Sequence, residues 1–556
     1  MDIFAPLFLV LPLGLCLYAV GSRKNRSVWS QIRPWQYLVF TLLAPAGVAV
    51  SLFHFTAIDN HAWRPHEESL WFALRGDADS DGIPDAEDPD IDGDGSPNDQ
   101  DELNDSYHPL QTQPLIRWIY SHVGGLVGAD ARTGKNSWDE LKHAFMGTAL
   151  LLGMWAATLL AITGQLLTGR FWIGLGAGLL LVFHPTLSYW RINAFHVAVS
   201  HVAFSATLLA AVLVSQKPRR ANYAAWFTLG ALCLYLRSEQ AGAVAATAAV
   251  PLLCSGTRAT ALLRAWRTWA PGLAASAALL IWPSWTVLRL AAEREDYRTG
   301  LRFGAIHLGV PEVWEPMWWP GFAFAIVLGL SAAVLPAGRS PDSLRLPARA
   351  LVIVTVAGVL PTLFFTSFGS RHLLNSSSAA ALLALIGLAL IPTALFGAHR
   401  KLGLGVAAAL ALGCLGPTLL SSWAKLAEWG PRYHVSHPRP PTLPDTARPP
   451  ERAPQFDTQR CASYAAAWQL CNQETWTWCH PPKDLRDPVL VRARWDQFDG
   501  CVVWGVDERD AEVAGTRHEW WMVVRDLYRW EPLGVIVLDD NGLHPRIDVY
   551  RMKERP

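Results

Sequence analysis

The residues most suited to binding a ligand lie in an acidic stretch, residues 76–105, with the sequence GDADSDGIPDAEDPDIDGDGSPNDQDELND. It repeats every 13 residues, and each half has oxygen-bearing side chains at loop positions 1, 3, 5, 9 and 12 and glycine at position 6. An EF-hand loop wraps calcium with this spacing. The predicted metal ligands are Asp77, Asp79, Asp81, Asp85, Asp88, Asp90, Asp92, Asp94, Asn98 and Asp101.

The surroundings of these loops differ from those of an EF-hand. No amphipathic helix flanks them, and Pro84 and Pro97 stand where a helix would begin. The pattern resembles thrombospondin type 3 repeats, in which short DxDxDG loops wind around calcium with little hydrophobic core. The alternative is a disordered acidic linker, because a block of like charges repels itself into solvent. We expect Ca²⁺ to bind here in a structural role.

A second set of candidate residues joins arginines with carboxylates. Arg191, Arg237 and Arg371 lie in short connections between apolar segments, and Asp59 and Glu67 follow the second such segment. Arginine binds phosphate with two parallel hydrogen bonds, and a carboxylate can take the proton from an attacking hydroxyl. The alternative is that each arginine only extends its charge to the membrane interface. Several at one face favour an anionic ligand.

The composition indicates which elements position these residues. Of 556 residues 51% are hydrophobic and only 17% charged, which points to a membrane protein. The 47 basic residues balance 47 acidic ones, so nothing favours a nucleic-acid partner. Twelve apolar segments predict membrane spans: 3–21, 36–56, 143–166, 171–190, 193–214, 224–236, 240–254, 269–291, 321–337, 350–368, 373–397 and 402–423. The count is ten if the two short segments around Arg237 form one re-entrant feature.

Lysine and arginine gather in every second connection, which predicts that those connections face the cytoplasm. The acidic loop, both termini and the segment after the last span then face the periplasm or exterior of a cytoplasmic (inner) membrane. The first span lacks a basic n-region and a cleavage site, so we expect a retained anchor. Cys16, Cys233, Cys254 and Cys414 lie inside spans, where a thiol is usually a small core residue.

The segment after the last span predicts a small α+β domain. A Pro-rich linker over residues 429–454 precedes it. We predict a helix over His518 to Trp530 and a hairpin over Leu533 to Met552 around Asn541-Gly542. Four cysteines in an oxidising compartment predict two disulfides of unassigned pairing, with zinc as the less favoured alternative because no CxxC pair is present. They are Cys461, Cys471, Cys479 and Cys501.

Four strings, taken in order, resemble the GT-C superfamily of membrane glycosyltransferases, notably its dolichyl-phosphate-mannose protein mannosyltransferase and aminoarabinose transferase branch. They are RPHEESLWFA from Arg64, HPLQTQPLIRWIYSHVGGLVG from His108, GRFWIGLGAGLLLVFHPTLSYWRINAF around Arg191, and SRHLLNSSSAAALLALIGLAL at Arg371. We expect either Asp59 or Glu67 to supply the catalytic base, and the first of these strings contains Glu67. We expect Arg191, Arg237, Arg371 and His372 to bind the phosphate of a lipid-linked sugar.

We therefore expect an all-α polytopic membrane protein of GT-C type with a small outward α+β domain. The predicted parts are residues 1–56 with two spans, 57–142 as the outward loop, 143–428 as the helix bundle, 429–454 as the linker and 455–556 as the tail domain. The expected function is transfer of a sugar from a polyprenyl-phosphate donor to a glycan, lipid or protein acceptor on the outer face. The alternative is a non-catalytic calcium-binding membrane protein for extracellular contact or sensing.

Overall fold

The structure is a computed structural model. It describes residues 5–22, 25–54, 114–126, 138–192, 196–237, 240–255, 265–293, 320–335, 342–360, 374–396, 399–435, 501–503, 528–536 and 547–554. The chain divides into two compact units. The first comprises Met1–Thr56, Gln111–Gly128 and Glu140–Ala427, and the second comprises Ala57–Leu110, Ala129–Asp139 and Glu428–Pro556.

The described part of the first half of the chain is helical. Its helices are α1 (Ala5–Gly21), α2 (Arg26–Trp29), α3 (Pro34–His54), α4 (Pro114–Leu126), α5 (Trp138–Gly153), α6 (Ala156–Thr168), α7 (Phe171–Val182), α8 (Pro185–Arg191), α9 (His196–Gln216), α10 (Arg220–Leu236), α11 (Ala241–Ala246) and α12 (Ala249–Cys254).

The second half continues with α13 (Trp266–Glu293), α14 (Pro320–Val334), α15 (Asp342–Val359), α16 (Leu374–Leu395) and α17 (Arg400–Val435). Three strands follow: β1 (Cys501–Val503), β2 (Tyr528–Ile536) and β3 (Ile547–Glu554).

Every apolar segment predicted from the sequence overlaps at least one of these helices. In the described part of the chain, five helical stretches are long and apolar enough to cross a membrane: α3, residues 144–168 of α5 and α6, α9, α16, and residues 401–427 of α17. Helices α7 and α8, bent by 64° at their junction, make a sixth if they count as one span. The chain is a multi-pass membrane protein. The length and hydropathy of the described helices do not decide between the predicted twelve and ten membrane spans.

Helices α9 and α16 form the centre of the first unit. Nearly every residue of both is buried, because both are apolar on all sides and can be enclosed by other helices. Helix α9 packs against α6, α10 and α16, whereas α16 packs against α14 and α15. Helix α17 exposes most of its described side chains, as expected of a helix at the lipid-facing edge.

One end of the bundle carries the basic connections. The amide of Asn25 donates to Asn222 Oδ1 at 2.9 Å, and Gln31 donates to Gln216 at 3.2 Å. Gln216 in turn donates to the carbonyl of Leu166 at 2.6 Å, and Lys217 donates to Ser27. These bonds bring together the start of the α2–α3 segment, the end of α6, and the turn between α9 and α10. We call this the basic end.

The second unit contains a three-stranded antiparallel sheet in the order β1-β3-β2. Ile536 pairs with Ile547, so the register is symmetric about Asn541-Gly542, and the predicted pairing is confirmed. A bulge between Pro532 and Gly534 shifts the register, at a residue whose backbone lacks an N–H. The predicted helix over residues 518–530 is wrong at its end, because Tyr528 already begins β2. The backbone hydrogen bonds between β2 and β3 outweigh the helix propensity of Tyr528 to Trp530.

Candidate functional site

The end of the bundle opposite the basic end gathers buried polar side chains. Here α3, α7 and α10 end, and α8, α9 and α16 begin. An apolar helix in lipid has no water to satisfy such groups, so polar side chains near its end must find partners in the protein. We call this end of the bundle the polar end.

Arg191 is the largest fully buried side chain in the described residues. Its Nη2 donates to the carbonyl of Leu181 at 2.9 Å, and its Nη1 donates to the carbonyls of Gly47 and Val182 at 3.2 and 3.3 Å. The last carbonyls of a helix have no partner within the helix, and a cation at that end also meets the favourable end of the helix dipole. Arg191 therefore caps α7, fixes the bend to α8, and holds both against α3.

Arg237 occupies the turn that follows α10. Its backbone N–H donates to the carbonyl of Cys233 at 2.9 Å, and its own carbonyl accepts from the N–H of Gln240 at 3.1 Å. The residue is 3% exposed. The tight connection from α10 to α11 thus holds a cationic side chain at the polar end, one helical turn beyond Cys233.

A group of polar side chains, the His201 cluster, lies between Arg237 and the start of α16. It consists of Ser200, His201, Cys233, Asn375 and Ser378. His201 Nδ1 lies 2.9 Å from Asn375 Oδ1, and His201 Nε2 lies 3.0 Å from Ser378 Oγ. The Asn375 amide lies 3.9 Å from Cys233 Sγ, which lies 3.7 Å from the carbonyl of Ser200. The cluster joins α9, α10 and α16.

Both arginines are buried at the end of the bundle that also holds His201 and His184. His184 precedes α8, where its Nδ1 accepts the N–H of Leu187 at 3.4 Å and so caps the helix. Two cations and two histidines thus share one buried region at the polar end.

An aromatic group lies at the same end, around Trp423 of α17. His54, the last residue of α3, meets the Trp423 ring edge-on with centroids 4.3 Å apart, and Phe183 meets it at 6.1 Å. Phe53 stacks on it at 5.4 Å. Aromatic rings are frequent at membrane interfaces because one part of the ring is apolar and another polar.

The structure describes two of the predicted substrate-binding residues, Arg191 and Arg237, and brings both near His201. The other candidates, Asp59, Glu67, Arg371 and His372, lie outside the described residues. So do all the predicted calcium ligands, which are Asp77, Asp79, Asp81, Asp85, Asp88, Asp90, Asp92, Asp94, Asn98 and Asp101.

The predicted disulfide cysteines are also largely outside the described residues. Cys461, Cys471 and Cys479 fall there, and only the backbone of Cys501 is described, in β1. The four cysteines within the helices take part in no disulfide, as the sequence predicts. Within the described ranges, no group of three His, Cys, Asp or Glu side chains could hold a metal.

Sequence reasoning missed the His201 cluster. The signal that was present is the run Asn375 to Ser378, four polar residues that open an otherwise apolar helix. Such a run at the start of a membrane helix requires partners on a neighbouring helix.

No protein-family model matches the chain, and no curated protein matches it. Among solved structures it is similar to two of ArnT from Cupriavidus metallidurans, one bound to undecaprenyl phosphate and one in the apo state. The sequence identities are 12% and 13%, and each comparison covers 92% of this chain and 97% of the other with a TM-score of 0.46. Similarity at this level assigns no function to the chain.

Proposed function

We propose that the protein is a membrane glycosyltransferase that moves a sugar from a polyprenyl-phosphate carrier to an acceptor hydroxyl at the polar end. By the positive-inside rule, the basic end faces the cytoplasm and the polar end faces the periplasm or exterior. The acceptor is a glycan, a lipid or a protein. The partners are thus the membrane lipid, the lipid-linked sugar and that acceptor.

The observation that carries this function is that the end of α10, where Arg237 lies, is hydrogen-bonded to the start of α16 through Cys233 and Asn375. The His201 cluster links the end of α10 to Asn375, which follows Arg371 by four positions and His372 by three. A polyprenyl phosphate presents its phosphate at the membrane surface, where an arginine provides a planar, permanently charged donor. A cation at the end opposite the basic loops runs against the usual charge bias, which favours a functional reason for it.

The loop carboxylates can reach the same end. Helix α3 ends there at His54, and Asp59 follows by five residues, a span of at most about 18 Å. In the reaction, Asp59 or Glu67 takes the proton of the acceptor hydroxyl, and the hydroxyl oxygen attacks the anomeric carbon. The bond from that carbon to the phosphate oxygen breaks, and the arginines stabilise the departing polyprenyl phosphate.

Within this proposal we assign the phosphate to Arg237, Arg371 and His372, and we give Arg191 a supporting role. Three protein carbonyls already accept hydrogen bonds from the buried guanidinium of Arg191. Moving a phosphate to it would require those bonds to break and the helix junction to open. The cost would be the loss of three hydrogen bonds by a buried guanidinium, and the three carbonyls would keep only their other donors, Ser51 Oγ, Ser188 Oγ and the N–H of His184.

We further propose that the acidic loop binds Ca²⁺ as a structural ion. Its donor set of carboxylates and one amide, spaced around a glycine, suits a hard cation that takes six to eight oxygens. The loop is part of the segment that carries Asp59 and Glu67. Calcium would therefore shape the segment from which the base acts, without taking part in the chemistry.

The test is turnover of labelled polyprenyl-phosphate sugars by purified protein in lipid. We expect Asp59→Asn or Glu67→Gln to lower kcat by about two to four powers of ten, the usual contribution of a general base. Asp342→Asn, which alters a carboxylate at the first residue of α15, is the control and keeps its activity. Full activity in both loop variants would remove the proposed base, and no turnover by the unmodified protein would remove the function.

A further inference from the structure

The hydrogen bonds of the His201 cluster have a defined direction. An amide oxygen only accepts, so His201 Nδ1 must donate to Asn375 Oδ1. His201 Nε2 is then the acceptor for the hydroxyl of Ser378. The Asn375 amide nitrogen donates to Cys233 Sγ, whose thiol donates to the carbonyl of Ser200. The chain of donors starts on α16 and ends on the backbone of α9, one residue before His201.

The cluster joins the end of α10 to the start of α16. Cys233, which contacts Asn375 through its thiol, also accepts the N–H of Arg237 with its backbone carbonyl. Asn375 lies in the first turn of α16, directly after the segment with Arg371 and His372. His201 is fully buried and contacts α16 through both ring nitrogens.

We propose that His201 is a positioning residue that sets the spacing between the end of α10, where Arg237 lies, and the start of α16. This inference rests on the proposed function. A phosphate held by groups from two helices needs those groups placed to within about 0.5 Å, which loose helix ends do not provide. Without the imidazole, Ser378 loses its partner and Asn375 keeps only its longer contact with Cys233, so the end of α10 and the start of α16 lose part of the contact that fixes their separation.

The experiment measures the binding of undecaprenyl phosphate to full-length protein in nanodiscs. We expect His201→Ala to weaken binding about tenfold, the equivalent of one buried hydrogen-bonded group, and to raise KM more than it lowers kcat. Thr207→Val is the matched control. Thr207 is equally buried on α9 but bonds only the carbonyl of Ala203 in its own helix, so this variant binds like the unmodified protein.

A conservative variant separates positioning from general support of the fold. His201→Asn keeps an N–H donor near the position of Nδ1 and should restore most of the affinity. Ser378→Ala removes only the partner of Nε2 and should weaken binding less than His201→Ala does. Both variants retain the larger part of the cluster, so they report on the proposal even if His201→Ala yields no folded protein.

A double-mutant cycle tests whether His201 acts through Arg237. The combination of His201→Ala with Arg237→Gln should weaken binding by clearly less than the product of the single effects, because the two residues serve one contact. Independent effects would overturn the positioning role, as would unchanged affinity in folded His201→Ala. If the unmodified protein neither binds undecaprenyl phosphate nor turns over a lipid-linked sugar, the proposed function itself fails.

Discussion

The guanidinium of Arg191 lies against the bare backbone of Gly47. A Cβ added at Gly47 would stand 3.1 Å from both Cζ and Nη1 of Arg191 and 3.3 Å from Nη2. Contacts at 3.1 Å are tighter than ordinary van der Waals packing, and here the neighbour is the rigid planar end of a fully buried side chain. The glycine thus provides the space in which the arginine reaches the carbonyl of α3.

Replacing Arg191 by methionine keeps most of the side-chain volume and removes every donor. We expect Arg191→Met to lower the free energy of unfolding by about 1–3 kcal/mol, because three buried carbonyls each lose one of their hydrogen-bond donors. The measurement is thermal unfolding in detergent, followed by tryptophan fluorescence. Arg267→Met, at an exposed arginine over the ring of Trp266, is the control with little effect. Normal stability together with lost undecaprenyl phosphate binding would instead make Arg191 a phosphate ligand.

Gly47→Ala should destabilise the protein only while Arg191 is present. The added methyl group meets the guanidinium, and overpacking of this kind costs about 1–3 kcal/mol. In the Arg191→Met background the flexible side chain can move aside, so the penalty should fall to a fraction of that value. Equal penalties in the two backgrounds, measured by the same unfolding assay, would show that the crowding lies elsewhere.

Gly387 should tolerate no side chain. A Cβ there would lie 2.6 Å from the Cα of Gly329, so α14 and α16 meet backbone to backbone. No rotamer change relieves such a clash, and we expect Gly387→Ala to lower the unfolding midpoint strongly or to abolish folding. Gly413→Ala is the matched control, because nothing lies within 4 Å of a Cβ at Gly413 in α17. Alanine favours a helix over glycine, so the control keeps or gains stability.

The eight cysteines should divide into two equal groups when thiols are counted in denaturant. Cys16, Cys233, Cys254 and Cys414 take part in no disulfide, so four thiols should react before reduction. All eight should react afterwards, if Cys461, Cys471, Cys479 and Cys501 form two disulfides. Eight reactive thiols after metal chelation alone would favour the zinc alternative.

Calcium should bind the full-length protein at concentrations up to about 1 mM, the weak limit for extracellular modules. Titration calorimetry on purified protein checks this, with Mg²⁺ as the control ion. Asp81→Asn combined with Asp94→Asn removes the same ligand from both repeats and should abolish most of the heat. Unchanged binding in that variant would place the ion elsewhere, and no heat at all in the unmodified protein would leave the acidic linker as the better interpretation.

The sequence predicts the helices better than the site. An apolar run near 20 residues leaves the backbone few options in lipid, and each of the twelve segments overlaps a helix in the described part of the chain. The role of Arg191 depends on carbonyls at Gly47 and Leu181, and the former is 144 residues away. The partners of His201 lie 174 and 177 residues beyond it. Pairings over such distances follow from packing, which no local pattern encodes.

The strands after the last span show where the local sequence is sufficient for a prediction and where it is not. The symmetric register about Asn541-Gly542 follows from a turn signal and two β-branched runs, both of them local. Tyr528 to Trp530 are the last residues of the segment that the sequence predicts as a helix. Their pairing with Met552 to Glu554 makes them part of a strand. Strand preference depends on the neighbouring strand more than helix preference does on any neighbour.

The His201 cluster also imposes an order on assembly. His201 enters the membrane on α9, but Asn375 and Ser378 are synthesised only after α10 and, among the described residues, helices α11 to α15. Until then the imidazole has no partner on α16, and a polar side chain in lipid costs free energy while it lacks one. Insertion of α16 satisfies both ring nitrogens at once. Closure of the bundle is therefore a late event, and the helix that completes the core is among the last to be made.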